Sequence, residues 1–210
     1  MSLLGPNIPK SELKGRSSEQ RQVVHYFRAS GIIPMFTRMK DDIYDEQVVA
    51  KMNALNLKQK AISKIGLDED ELKEIPPVFL HGYNFSDTKA YNRLGTDGKY
   101  RSSKYDTVWL FFSNTQVYMY SYTFDMASES KKEVSDEYFY KDVTNFSTFN
   151  ESIETIELKG CQGNPVARTA ESSAFSLVVP GDKFQCSISG VTDADQSISG
   201  MKQKLREKKG

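Results

Sequence analysis

The chain has 210 residues, 38% of them apolar and 11% aromatic, which is enough to build a packed core and too much for an intrinsically disordered chain. Its 28 basic and 28 acidic residues cancel, and between residues 75 and 200 sixteen acidic residues outnumber eleven basic ones, which excludes a broad nucleic-acid-binding face. No apolar run nears the roughly 20 residues needed to span a bilayer, the start MSLLGPNIPK does not read as a signal peptide, and Cys161 and Cys186 lack CxxC spacing; the expectation is a cytoplasmic protein with reduced thiols and no cofactor or metal.

Residues 1–16, with Gly5, Pro6, Pro9 and Gly15, read as a loose arm. Ser17 and Gln20 have capping-box spacing, so a helix is predicted from there to Ser30 with Gly31 as its stop. Asp41 and Asp42 suit the start of a second helix carrying Ile43, Val48, Met52 and Leu55. A third places Leu57, Ala61 and Ile65 four apart and ends at Gly66. Asp68 with Glu71 caps a short turn before Pro76 and Pro77.

From Val78 the period changes from helical to extended. VFLHGYNF is a first strand, and a long polar loop from Ser86 to about Ser103 separates it from YDTVWLFF, dense in β-branched and aromatic types. Ser113-Asn114 reads as a tight turn into QVYMYSYTFDM, where Tyr118, Tyr120, Tyr122 and Phe124 share a face, as expected of a core wall. DEYFYKDVTNFSTF and ESIETIELKG follow as strands. Phe175, Leu177 and Val179 alternate up to Pro180-Gly181, a pair suited to a type II turn, and Phe184, Cys186 and Ile188 alternate back, which buries Cys186. Thr192 and Asp193 cap a last helix with Ile198, Met201 and Leu205 on one stripe.

The segments GLDEDELKEIPPVFLHGYNF, YDTVWLFFSNTQVYMYSYTFD, DEYFYKDVTNF and FSLVVPGDKFQCSI, followed by the terminal helix, resemble the bacterial pleckstrin-homology-like (PH-like) proteins over residues 67–208. The resemblance implies an α+β chain: a seven-stranded antiparallel barrel or sandwich in residues 67–210, capped by its C-terminal helix and preceded by a helical arm in residues 1–66. It implies a binding module and no chemistry.

Two groups of residues are candidate sites. Lys89, Arg93, Lys99, Arg101 and Lys104 outnumber Asp87 and Asp97 in the loop between the first two strands. Lys89 with Lys99-Tyr100-Arg101 fits the lysine-then-basic-x-arginine pattern of lipid-binding PH-like domains, and such a loop can surround a phosphate. Val23, Phe27, Ile32, Ile33 and Phe36 are too apolar to stay wet; their cover is the barrel, a second copy or a partner protein. His25 and His81 lack ligand-spaced partners, Asp68 to Glu71 suit a helix start rather than a metal site, and GTDGK is too short for a phosphate loop. The expected function is therefore a non-enzymatic interaction module binding a protein partner or itself. The alternative is weak binding of anionic membrane lipid or phosphate headgroups through the basic loop, with no role in nucleic-acid binding.

Overall fold

In the computed structural model, which describes residues 8–28, 38–67, 76–159, 164–191, 198–200, 202–203 and 206–207, the chain opens on helices. α1 (Lys10–Leu13) is a single turn. α2 (Ser18–Arg28) begins with the expected capping box: the Gln20 amide donates to Ser17 Oγ (3.2 Å) and the Ser17 amide donates to Gln20 Oε1 (3.0 Å). α3 (Asp41–Ala54) and α4 (Leu57–Ile65) follow, α4 closing on Gly66 at φ 74° as its C-terminal glycine. The buried face of α3 is Tyr44 and Val48, whereas Ile43, expected on that face, is 41% exposed. Tyr44 wins the inward position because its hydroxyl reaches the Ser102 carbonyl (2.8 Å), so a large ring is buried with its polar atom satisfied.

Among the described residues nine antiparallel strands follow, arranged in three sheets. They are β1 (Val78–Tyr83), β2 (Asn92–Leu94), β3 (Tyr100–Ser102), β4 (Lys104–Phe112), β5 (Gln116–Asp125), β6 (Lys131–Phe139), β7 (Asn145–Lys159), β8 (Asn164–Val179) and β9 (Asp182–Ser187). The sheets run β1-β4-β5-β6, β2-β3 and β7-β8-β9, and β1 passes beside β9 where the first and third sheets meet. They do not close into one barrel.

The strand count departs from seven, and each departure has a local cause. The loop expected from Ser86 to Ser103 contains β2 and β3, joined by Gly95 to Lys99, where the Gly98 amide donates to the Gly95 carbonyl (3.2 Å) with Gly98 at φ 78°. This is a type I turn followed by a left-handed residue, which only a glycine adopts without strain. DEYFYKDVTNFSTF is broken by a 3-10 turn at Tyr140–Asp142, held in part by Tyr140 donating to the Ser113 carbonyl (2.8 Å). Past that break, ESIETIELK continues the strand as the rest of β7, which pairs with β8 along its full length. The Pro180-Gly181 hairpin is as expected: Val179 pairs with Asp182 and Gly181 has φ 84°.

The two central strands of the first sheet, β4 and β5, are buried on both faces because they alternate large side chains to each side. Phe111, Tyr120, Tyr122 and Phe124 face the helices and share one core with Val23, Val24, Tyr26, Phe27, Tyr44, Val48, Leu57 and Ala61. Leu80, Val108, Leu110, Phe112, Val117 and Met119 face the other way, onto Phe175, Leu177, Cys186 and Ile188 of the third sheet and its end. The result is three layers, helices on sheet on sheet. The helical residues near the C-terminus join the second core through Ile198, 2% exposed. The aromatic stripe on β5 is therefore a core wall, and it is the helices that cover it. Among the described residues no helix is long and apolar enough to cross a membrane. Expectations for Gly31, the Asp68–Glu71 turn, Cys161, Thr192, Asp193, Met201 and Leu205 fall outside the described residues.

Candidate functional site

Where the three layers meet, a cleft of about 610 Å³ opens between α3, the end of β1, the β2–β3 turn, the start of β4, the middle of β8 and the turn after β9. Its wall is aromatic because β1 and β4 pair with Tyr83 opposite Tyr105 and His81 opposite Thr107. The Tyr83 and Tyr105 rings stand at 90° with centroids 5.1 Å apart, Phe85 lies 6.3 Å from Tyr83, and His81 is 5.8 Å from Tyr105. His81 Nδ1 and Tyr105 Oη share a hydrogen bond of 2.7 Å. Behind that pair, Gly190 donates its amide to the His81 carbonyl (3.0 Å), and a Cβ at position 190 would lie 2.4 Å from Tyr105 Oη. Glycine is needed there for close approach.

The polar part of the cleft is a pair of forks on one guanidinium. Arg101, 3% exposed, donates from Nε and Nη2 to the two oxygens of Asp45 (both 2.7 Å) and from Nη1 and Nη2 to the two of Asp97 (2.9 and 2.8 Å). The hydrogen bonds to Asp97, against the desolvation of burial and helped by Asp45, hold the guanidinium above its usual range. The same hydrogen bonds hold the Asp97 carboxyl well below the usual carboxylate range. Tyr83 donates to Asp45 Oδ1 (2.5 Å), and burial first, then the neighbouring Tyr44 and Asp45, push its phenol up. Burial alone lowers His81, so its ring is neutral at pH 7. Across the cleft Glu171 accepts from Ser152 Oγ (2.6 Å), and Val49 on α3 leaves an apolar rim, 44% exposed.

The five basic residues named from the sequence do not form one cationic surface. Arg101 is committed to Asp45 and Asp97. Lys104, with a side chain 10% exposed, is paired with Asp87. Arg93 donates Nη1 to the Tyr26 carbonyl (2.9 Å) and stands 5.5 Å over the Tyr26 ring. Lys89 and Lys99 are exposed. Of the apolar residues named for partner binding, Val23 and Phe27 are 1% and 5% exposed under the chain's own sheet, and Ile32, Ile33 and Phe36 lie outside the described residues.

A second, polar pocket of about 520 Å³ opens between the first and third sheets, and Lys104, Lys131, Lys132 and Lys183 stand around it. Its floor is Asp106, which accepts from Asn84 Nδ2 (3.0 and 2.9 Å) and Thr123 Oγ1 (2.7 Å) and whose carboxyl burial pushes up. Among the described residues no group of three or more His, Cys, Asp or Glu side chains is placed to hold a metal ion.

Sequence reasoning missed Asp45, Tyr83, Phe85, Tyr105 and Glu171. The one local signal for the aromatic wall was the alternation in HGYNF and KYDTVW, which also describes an ordinary core strand. No family model, curated protein or solved structure matches this chain.

Proposed function

We propose that the chain is a non-enzymatic binding module of PH-like architecture that receives an apolar or aromatic group of its ligand, presented by a protein partner, in the cleft bounded by Val49, Tyr83 and Tyr105. What supports the architecture is the order of parts: a four-stranded antiparallel sheet, a three-stranded one packed on it, and Ile198, on a helical stretch near the C-terminus, in the core between them. The observation that carries the binding reading is that the cleft is mostly ring and aliphatic surface with its buried charges already answered inside the chain. Such a site offers apolar contact at little electrostatic cost and leaves no side chain poised to attack a substrate.

The experiment is two-dimensional NMR on the full chain with a library of small aromatic and aliphatic fragments. Shifts are expected at His81, Tyr83, Tyr105 and Gly190, and Val49→Arg, which puts a charge on the rim at a solvent-facing position, is expected to abolish them. Shifts scattered over the surface, or turnover of an ester, phosphoester or nucleotide panel, would overturn the reading.

One observation favours a second reading. Lys131, Lys132 and Lys183 stand at one polar pocket, whereas Arg101 is committed to Asp45 and Asp97 and Lys104 to Asp87, so an anionic headgroup would be held by those three lysines rather than by Arg101.

A further inference from the structure

The third sheet ends unevenly at the cleft. β7 pairs with β8 along its whole length, from Asn145 opposite Val178 to Lys159 opposite Asn164, whereas β9 pairs with β8 only from Val179 back to Ala174. One more rung follows, the Ile188 amide donating to the Ser173 carbonyl (2.8 Å), and the chain then turns off to Gly190, which bonds His81. That last rung fixes which residues of β8 face the β9 side. The main-chain groups of a strand alternate between its two edges, and the β7–β8 register runs without a bulge. Glu171, Thr169 and Ala167 therefore direct both N–H and C=O to the edge that β9 has left. Among the described residues none hydrogen-bonds to the main chain of these three on that side, and all three are exposed. Pro165 stands at the next position of the same parity, where a proline removes no ladder hydrogen bond.

This open edge is no outer flank of the sheet, because Thr169 and Glu171 line the aromatic cleft. They share the side-chain face of Phe175 and Leu177, which looks toward the first sheet. A strand laid against the edge would place one residue opposite Thr169 and another, two positions away, opposite Glu171. Each would turn its N–H toward β8 and its side chain toward the cleft. The charges lining the cleft cancel, Asp45 and Glu171 against Arg101 and Lys99, so an uncharged apolar side chain suits both positions. We propose that the cleft takes an extended segment of a partner protein, which adds to β8 as an antiparallel strand in line with β9 and turns alternate apolar residues into the cleft. Donor and acceptor pairs recurring about 7 Å apart match an extended main chain and not a small molecule. The β8 of a second copy would arrive with its β7 alongside and meet the wall of Tyr83, Tyr105 and Gly190. The inference rests on the reading of the cleft as the ligand site and names the form in which the apolar group is presented.

Titration of the full chain with a synthetic peptide, followed by calorimetry and NMR, tests the inference. The probe alternates threonine and valine between two terminal lysines and is blocked at both ends. It is expected to bind, to shift the amides of Ala167, Thr169 and Glu171, and to slow their exchange with solvent. Side chain and N–H are coupled at this edge, which makes the test specific: methylating the valine nitrogens is expected to weaken binding about tenfold or more, and methylating the threonine nitrogens, which face away from β8, to leave it nearly unchanged. Thr169→Pro removes one outward N–H and spares the pairing with β7. It is expected to weaken the peptide about tenfold while small aromatic and aliphatic fragments still enter the cleft. The methylated peptides keep the test open if that variant does not fold. Equal effects of the two methylations, or fragments entering the cleft while the peptide does not bind, would overturn strand addition and leave the cleft as a binding site. A dimer that Thr169→Pro dissolves would give the edge to a second copy and overturn the partner segment. A cleft that neither the peptide nor any fragment perturbs would overturn both readings.

Discussion

His81 is held neutral by burial and tied to Tyr105, and this gives the protein's stability a dependence on pH that carboxylates alone would not. Its folded pKa lies below the ordinary 6.5, so as pH falls through that value the unfolded chain takes up a proton before the folded one does. The unfolded state then binds more protons, and stability falls with falling pH. A second decline begins near 3.8, where Asp97, kept ionised by Arg101, loses a contribution that is complete above that value. Urea midpoints measured from pH 8 to pH 5 are expected to drop in wild type and to stay level in His81→Gln, which keeps a polar partner for Tyr105; a drop of the same size in the variant would contradict the assignment. Little of this residue-scale chemistry was legible beforehand. Arg101 read as a loop cation because its counter-charge Asp45 sits 56 positions earlier on a helix, and counting charge along the chain cannot see a fork formed across that span.

Elements whose signals are local were readable, and those that depend on distant pairing were not. Ser17 and Gln20 cap α2 through atoms three residues apart, and Pro180-Gly181 sets its own turn, so both were visible in the spacing. The β2–β3 hairpin joins Asn92-Arg93-Leu94 to Tyr100-Arg101-Ser102, strands with no apolar alternation, held in place by Arg93 on Tyr26 and Arg101 on Asp45. The outer half of β8, with Ala167, Arg168 and Thr169, likewise has no apolar face and is a strand because β7 pairs with it. At the β8–β9 turn the local rule makes a quantitative prediction. Gly181 sits at φ 84°, where a Cβ meets no neighbour but the backbone itself disfavours an L side chain. Gly181→Ala is expected to cost about 1–2 kcal/mol, read as a lower urea midpoint with an unchanged slope. No loss would mean that the turn relaxes to another type.

At the scale of the whole molecule, the question is whether residues 1–66 are an arm on a finished β domain or a layer of it. The sequence favoured an arm, since the helical and extended periods separate cleanly near Pro76. The packing argues the other way. Phe111, Tyr120, Tyr122 and Phe124 owe their burial to the helices, and each large side chain returned to water forfeits about 1.5–3 kcal/mol, together on the order of 10 kcal/mol. That is comparable to the entire stability of a typical domain. Deletion would also remove Tyr44 from the Ser102 carbonyl and Asp45 from Arg101, leaving a guanidinium that is now 3% exposed with one carboxylate fork in place of two. A chain beginning at residue 67 is therefore expected to bind a hydrophobic dye, to unfold without a cooperative transition and to associate in light scattering. Within the intact chain, Phe27→Ala tests the same interface more gently, with an expected loss of about 3–5 kcal/mol in chemical denaturation. If the truncated chain were monodisperse and cooperative, and Phe27→Ala cost little, the helices would be a separable layer. Their apolar face would then be available to a partner, and the cleft at Tyr83 would lose one of its walls without the sheet losing its fold.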